Sequence, residues 1–474
     1  MNRYDLIAIG GGTAGLVTVV GAAAFGLKTA LVERAALGGE CLWTGCVPSK
    51  ALIASAKLAH QMRNAERLGL VGLPPARVFR AVMERMRSAQ GTVAHHDDPE
   101  RFRKMGIDVI FGRAELRSEH RVAVDDRILE TKRILIATGS SATVPPIPGL
   151  AESGYLTHAT AFDETTLPRR IAVLGAGPIG LEFAQLYHRL GAEVTVLEAL
   201  PRVLPREDEE ASKVIAKLLA CEGITLHVST RVERVETGPD GVHRMVATVE
   251  GEPPLSLEVD QIFVATGRRA NGENLGLEQL GVAVQQGAVG VDATLRTAVP
   301  SVWAAGDVSG GLQFTHVADY QAKLVVRNII SPLRAKARYT QVPWVTYTDP
   351  EIARVGLTEA EARDRFGRVS VYRHAFADLD RAIVDGRGEG FVKLVTGRKN
   401  RIIGATIVGS GAGELLPPIV LAMRHRIPMH KLSQVVWAYP TMAEGLKRTA
   451  DSYYRDALSG RKGDLVRKVV RWLT

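Results

Sequence analysis

At 474 residues the chain is long enough for about three domains. With 46% hydrophobic and 23% charged residues it has the composition of an ordinary globular protein and not of a disordered chain or a coiled coil. The net charge of +9 is mild, and its one concentration lies in residues 455–474, where six basic residues face two acidic ones. A nucleic-acid binder would gather more of its charge on one face, so no nucleic-acid partner is expected.

The 47 glycines and 5% aromatics favour an α/β fold with tight turns. Three cysteines, Cys41, Cys46 and Cys221, are too few for a disulfide scaffold. They fit a reducing, cytoplasmic compartment, where a close pair is catalytic or metal-binding.

The uncharged stretch Leu6–Leu27 is long enough to imitate a membrane span, but its six glycines break that reading. It reads instead as a strand over Tyr4–Ile9, the turn Gly10-Gly-Gly12-Thr-Ala-Gly15, and a helix rich in Ala and Val. A second strand then ends at Glu33. Glycines in this pattern allow a tight turn and close backbone approach to a pyrophosphate. The helix N-terminus adds unpaired N–H groups, and Glu33 is placed to accept from ribose hydroxyls.

The pattern recurs. A strand over Ile171–Leu174 leads into Gly175-Ala-Gly177-Pro-Ile-Gly180, a helix, and a strand over Glu193–Leu197 followed by Glu198. Gly10 to Glu33 and Gly175 to Glu198 both span 23 residues. Return strands over Ile134–Ala137 and Ile262–Ala265 lead into Thr138-Gly139 and Thr266-Gly267-Arg268. A third strand, Val302-Trp-Ala-Ala, ends at Gly306-Asp307.

The predicted architecture is two doubly wound dinucleotide-binding domains plus a C-terminal α+β domain. Residues 1–150 and 268–340 form the first, 151–267 the second, and 341–474 the third. The third shows strands over Val369–Phe376, Gly390–Val395 and Arg401–Val408, with helices from about Glu414. Segment 50–105 reads as long helices interrupted at Pro74-Pro75.

After the second strand comes Gly38-Gly-Glu-Cys41-Leu-Trp-Thr-Gly-Cys46-Val-Pro-Ser-Lys50. Positions five apart in an ideal helix have Cα atoms ~8.5–9 Å apart. A disulfide needs about 4.4–6.8 Å, so bonding requires a distorted segment, which Gly45 permits. Pro48 suits a first helical position and puts Cys46 near a helix N-terminus, whose dipole favours a thiolate. A structural disulfide or a zinc half-site is disfavoured because no further Cys/His cluster accompanies the pair.

With this string the chain resembles the flavin-dependent pyridine nucleotide–disulfide oxidoreductases, a family that includes glutathione reductase, dihydrolipoamide dehydrogenase and mercuric reductase. The resemblance implies that Gly10, Gly12, Gly15, Glu33, Thr138, Gly139 and Asp307 bind FAD, with Asp307 on the ribityl chain. It implies that Gly175, Gly177, Gly180, Glu198 and the return-strand Gly267 serve the nicotinamide dinucleotide. Lys50 is implied beside the flavin ring with Glu182 as its partner. Cys46 is implied as the flavin-proximal thiolate, and Cys41 as the exposed thiol that meets substrate. NADH is expected over NADPH, because Glu198 can accept from both ribose hydroxyls and would repel a 2′-phosphate. Arg202 nearby pulls the other way.

The resemblance also implies a homodimer with shared active sites, the partner chain lending a His-Pro-Thr-x-x-Glu string. Here that string is Tyr439-Pro440-Thr441-Met442-Ala443-Glu444. Tyrosine titrates near 10 and histidine near 6.5, so a phenol is a poor carrier of a thiol proton at neutral pH. This ranks dihydrolipoamide dehydrogenase second. Tyrosine at this place, followed by Thr441-Met-Ala-Glu444-Gly-Leu-Lys447, is similar to mercuric reductases, and the resemblance implies a mercuric-reductase-like oxidoreductase. The cysteine pairs that pass Hg(II) inward in mercuric reductases have no counterpart in this sequence. The acceptor is therefore left as a disulfide, a metal ion or a quinone. A low-turnover flavoprotein sensor is the reading from another class.

Three lesser features remain. His95-His96-Asp97-Asp98 reads as a solvated turn before Pro99, Cys221 as a small buried hydrophobe, and Trp43 as either substrate mouth or core. After Asp464, a candidate N-cap, Leu465, Val466, Val469, Val470 and Leu473 share one helix face. This basic amphipathic tail is expected to pack on its own dimer or to lie on an anionic membrane surface.

Overall fold

The computed structural model describes residues 3–73, 79–251, 253–459 and 461–473. The expected break at Pro74-Pro75 lies outside the described residues. Short apolar runs at the start of each glycine turn become parallel strands buried on both faces. Leu6–Ile9 lies at the centre of a five-stranded sheet, flanked on one side by Ile134–Ile136 and Val302–Ala304 and on the other by Thr29–Glu33 and Asp108–Phe111. Alternate side chains serve two cores. Leu6, Ala8 and Leu31 pack with Ala14, Val19 and Ala22 of the helix Thr13–Ala24 and with Val325 of the helix Thr315–Ile330. Ile7, Ile9, Ala30 and Val32 pack with Leu116, Val122 and Val124 of an antiparallel sheet. That sheet is formed by Ala114–Ser118, Arg121–Val124 and Arg127–Thr131.

The second unit repeats the plan. Arg170–Leu174 lies between Glu193–Leu197 and Gln261–Val264, with Thr225–His227 at the edge, all parallel. A three-stranded antiparallel sheet, Thr230–Thr237, His243–Val249 and Leu255–Val259, covers it. The two return-strand exits meet in a short antiparallel pair, Ser140–Ala142 with Arg268–Ala270, where the chain passes from one unit to the other.

The C-terminal sheet has five antiparallel strands: Pro343–Thr346, Glu351–Gly356, Ile402–Gly409, Phe391–Thr396 and Ser370–Ala375, in that spatial order. Three of these strands match the sequence reading. The other two hide in proline-bearing segments, Pro343 opening one and Pro350 preceding the other. The expected strand over Tyr4–Ile9 is divided at Asp5, so that Arg3–Tyr4 pairs with Arg127–Thr131 instead.

Leu6–Leu27 is strand, turn and a 12-residue helix. Among the described residues no helix is long and apolar enough to cross a membrane, and no group of three or more His, Cys, Asp or Glu side chains could hold a metal. His95–Asp97 is a single 3-10 turn, and Asp98 caps the helix Pro99–Lys104 by accepting from Glu100 N at 2.8 Å. Cys221 is exposed, contrary to the expected burial. It sits in the last turn of Glu209–Glu222, whose buried residues Ala211, Ser212, Ile215 and Leu219 line the other side. The tail helix begins at Arg461, so Asp464 lies within its first turn and is not its cap.

Candidate active site

The two cysteines sit on two helices and not on one. Gly39–Trp43 makes little more than a turn, Thr44 and Gly45 break it, and a new helix runs from Cys46 to Arg63. Cys46 is thus the first residue of its helix and Pro48 the third, two residues later than Pro48 was expected. Gly45 is required by close approach: a Cβ there would stand 2.9 Å from Glu40 O and 3.3 Å from Cys41 Cα. The absence of a side chain brings the second helix directly onto Cys41.

Both cysteines are free thiols, the reduced form of the pair. The hydrogen bond from Cys41 lowers the Cys46 thiol from its usual 9.0 to about 6, with Thr315 and the charge of Lys50 helping against the cost of burial. The same bond, with burial, drives Cys41 upward. The bond between the sulfurs and the Lys50 charge thus favour Cys46 as the member of the pair that loses its proton first. The Thr315 hydroxyl lies 3.7 Å from Cys46 Sγ.

The resemblance implied Cys41 as the exposed member, but in the chain by itself Cys46 is exposed and Cys41 half-buried. Cys46 opens its helix among Lys50, Thr315 and Tyr347, whereas Cys41 lies against the incoming helix at Gly45.

Lys50, one turn after Cys46, binds Glu182 of the second unit at 2.8 Å. Burial alone would lower the lysine, but the Glu182 carboxylate outweighs it and raises it, fixing the cation. Glu182 Oε1 accepts from Tyr347 N at 2.8 Å, and Lys50 Nζ lies 4.6 Å from the Tyr347 ring centre. Three segments distant in sequence thus fix one ammonium group beside the thiolate.

The glycine turns form two matching cradles. Glu33 accepts from Gly11 N at 2.6 Å and Ala35 N at 2.8 Å, and Glu198 accepts from Ala176 N at 2.7 Å and Leu200 N at 2.9 Å. A Cβ on Gly15 would overlap Gly10 O, and one on Gly180 would overlap Gly175 O, so each helix enters tight against its turn. Gly12 and Gly177 are the helix N-caps, and neither helix has a side-chain cap. A Cβ at Gly177 would meet nothing within 4 Å, and at Gly12 the nearest atom is 3.8 Å away. Uncapped N–H groups above open glycine backbone fit a diphosphate. Thr138 Oγ1 donates to Asn271 O at 2.7 Å, Asn271 N donates to Gly139 O at 3.0 Å, and Thr143 N donates to Gly267 O at 2.9 Å, which ties the return-strand exits together. Arg202 is turned away from Glu198, donating to the carbonyls of Leu204, Pro205 and Glu207.

Sequence reasoning missed a partly buried polar cluster between Cys41 and Asp307. Arg268 pairs with both Glu40 oxygens and donates to Ser140 Oγ at 2.6 Å and Asp307 Oδ2 at 3.2 Å. Ser140 Oγ also donates to Asp307 at 2.6 Å, and His158 Nε2 lies 2.6 Å from Glu40 Oε1. Burial would raise the Glu40 carboxyl, but its donors Arg268 and His158 hold it at about 2. Asp307 is instead pushed up by burial despite Ser140 and Arg268. The available signals were a carboxylate directly before Cys41 and an arginine directly after Thr266-Gly267. Trp43, on the loop side of Cys41, is 39% exposed and donates to Leu37 O at 2.7 Å.

Tyr439 and Glu444 stand apart from this cluster in the single chain. No hydrogen bond or ion pair joins either to Cys41 or Cys46 among the described residues. Tyr439 is exposed, follows the sheet domain through a cis bond to Pro440, and donates to Asp380 Oδ2 at 3.0 Å. Glu444 is buried, takes Arg448 on Oε1, and leaves Oε2 without a partner among the described residues.

Residues 4–322 match the pyridine nucleotide-disulphide oxidoreductase family, and residues 342–450 match its dimerisation domain. The chain is 35% identical over 462 residues to a mercuric reductase of Bacillus cereus, covering 96% of this chain and 72% of that protein. It is 33% identical over 466 residues to a dihydrolipoyl dehydrogenase of Zymomonas mobilis, covering 96% and 99%. Among solved structures, the Cu(II) complex of the HOCl-induced flavoprotein disulfide reductase RclA from Escherichia coli superposes with a TM-score of 0.85 at 29% identity, covering 95% and 99%.

Proposed function

The chain belongs to the pyridine nucleotide-disulphide oxidoreductase family, and from that premise we propose an NADH-driven reductase whose Cys41–Cys46 pair delivers electrons to a metal ion such as Hg(II) or Cu(II). The enzyme class and the use of FAD and NAD(P) are those of the family. The observation that carries the finer reading is a pair of free cysteines beside the Lys50–Glu182 ion pair, in a chain with tyrosine before Pro440.

FAD would be held by Gly10, Gly12, Gly15, Glu33, Thr138, Gly139 and Asp307, and the nicotinamide dinucleotide by Gly175, Gly177, Gly180, Glu198 and Gly267. Bound flavin supplies acceptance of hydride from the nicotinamide and two-electron reduction of the Cys41–Cys46 disulfide. The chain's own residues stabilise the result. Lys50, locked by Glu182, faces the negative charge, Cys46 keeps the thiolate, and Cys41 keeps the proton. On reoxidation Cys41 releases its proton, both sulfurs ligate the metal, and the S–S bond forms as two electrons leave. One Hg(II) becomes Hg(0), or two Cu(II) become two Cu(I).

In the homodimer that the dimerisation domain supports, Tyr439 and Glu444 are proposed to reach the partner's pair. A phenol there can donate to a thiolate or line a metal path, but it does not shuttle a thiol proton at neutral pH. Dihydrolipoamide dehydrogenase is the second reading, favoured by the nearly complete coverage of the Zymomonas relative. The small number of cysteines supports a reducing, cytoplasmic setting.

The test is steady-state NADH oxidation with Hg(II), Cu(II), lipoamide, a quinone and glutathione disulfide. Metal turnover should vanish in Cys41→Ala, whereas quinone turnover should persist because a quinone can be reduced without the thiols. Dihydrolipoamide oxidation should be slow in the wild type and faster in Tyr439→His. Fast dihydrolipoamide turnover by the unmodified protein, or metal turnover that survives Cys41→Ala, refutes the proposal.

A further inference from the structure

The chain ends in a helical hairpin. The helix Arg461–Leu473 folds back on Glu444–Ser459, with Arg467 donating to Leu458 O at 2.7 Å. Gly463 makes the return possible, since a Cβ there would overlap the Leu458 backbone. Folding back does not bury the apolar side of the hairpin. Val466 and Val469 remain about half exposed, Leu473 is 69% exposed and Trp472 is 84% exposed, while Tyr454 and Leu458 of the preceding helix continue the same kind of surface. Val466, Val469 and Leu473 recur at intervals of three and four, so they form one stripe. Arg467, Lys468 and Arg471, all exposed, lie on the opposite side of the helix.

We propose that Arg461–Leu473 docks the protein on an anionic lipid bilayer. An exposed stripe of aliphatic side chains with a tryptophan at its edge and an arginine- and lysine-bearing polar face behind it has the chemistry of a helix lying in the membrane interface. Charge complementarity selects the anionic surface, because residues 455–474 carry six basic groups against two acidic ones. The helix also lies beyond residue 450, where the match to the dimerisation domain ends. One short helix binds lipid weakly. A dimer presents two, and the second contact is intramolecular once the first is made.

The FAD-loaded, full-length protein is sedimented with vesicles of phosphatidylcholine alone or with one-third phosphatidylglycerol. Wild type should bind the anionic vesicles at least tenfold more tightly than the neutral ones, and 0.5 M salt should release it. Lys468→Gln/Arg471→Gln should weaken binding about twenty-five-fold, at about fivefold per basic group. Val469→Glu/Leu473→Glu should abolish binding while leaving the dimer intact by analytical ultracentrifugation. Equal binding to both vesicles, no binding to either, or retention by the Val469→Glu/Leu473→Glu variant overturns the proposal. Loss of the dimer in that variant also overturns it, because the stripe is then an interface between copies.

Discussion

Replacing Cys41 separates the two contributions that hold Cys46 as a thiolate. The wild-type Cys46 thiol is lowered from 9.0 to about 6, with the Cys41 hydrogen bond as the largest cause and Thr315 and Lys50 behind it. A hydrogen bond to a charged acceptor is worth about 1.5–3 kcal/mol, which would move a titration by about one to two pH units. Cys46 is exposed in the chain, so solvent screening favours the lower half of that range. In Cys41→Ala the midpoint should therefore rise to between about 7 and 7.5, and the thiolate fraction at pH 7 should fall from about nine-tenths to half or less. Cys41→Ser keeps a donor at the same place, and its midpoint should stay within about one pH unit of 6. The assay is a pH titration of the long-wavelength absorbance that a Cys46 thiolate gives beside oxidised flavin, measured in both variants without reduction. Equal midpoints in Ala and Ser, or a Ser midpoint near 9, would refute the assignment of Cys41 as the donor that makes the thiolate.

Lys50→Met should slow NADH-driven reduction of the cysteine pair by about a hundredfold in stopped-flow, because the fixed cation beside the developing charge is lost. Glu198→Arg should move the NADH-to-NADPH ratio of kcat/KM toward NADPH by at least about tenfold, since the carboxylate that would repel a 2′-phosphate is replaced by a donor for it. A wild type that prefers NADPH would contradict the premise, especially with Arg202 committed to the carbonyls of its own loop. The Glu40 carboxyl is depressed to about 2 from its usual 4.5, so its stabilisation is complete above pH 4.5 and fades as the pH falls toward 2. Glu40→Gln should therefore lose about 3 kcal/mol at pH 7 and show a smaller drop in Tm between pH 7 and pH 3 than wild type. A drop equal to that of wild type would mean that the Arg268 and His158 contacts do not stabilise the folded state.

The parts of the fold legible in the sequence were those where backbone geometry restricts residue type. The turn at Gly10–Gly15 and its copy at Gly175–Gly180 each need glycine for close approach, and their strands are uniformly apolar because both faces are buried. The pairing of Lys50 with Glu182 came from family likeness, and the structure joins the two at 2.8 Å across units that no local pattern connects. The Glu40–Arg268–His158 cluster was missed for the same reason: Glu40 adjoins Cys41 and Arg268 follows Thr266-Gly267, but the three residues lie on separated segments that no local pattern joins. Cys221 was misjudged because a helix end next to glycine says nothing about which side of the helix faces the core. The exposure of Cys46 relative to Cys41 depends on how a second helix overlaps the first, which spacing alone does not fix. Tyr439 stood out from the string around it, but its bond to Asp380 and the orphan oxygen of Glu444 are tertiary facts.

The most direct measurement is an anaerobic titration of the FAD-loaded protein with NADH, following absorbance and the number of reactive thiols after denaturing quench. With the pair oxidised, only Cys221 of the three cysteines should react. Two electrons per chain should raise the count from one to three, while the flavin stays oxidised and a long-wavelength band appears. Flavin bleaching at that stage, with the thiol count unchanged and no such band, would contradict a relay through Cys41 and Cys46.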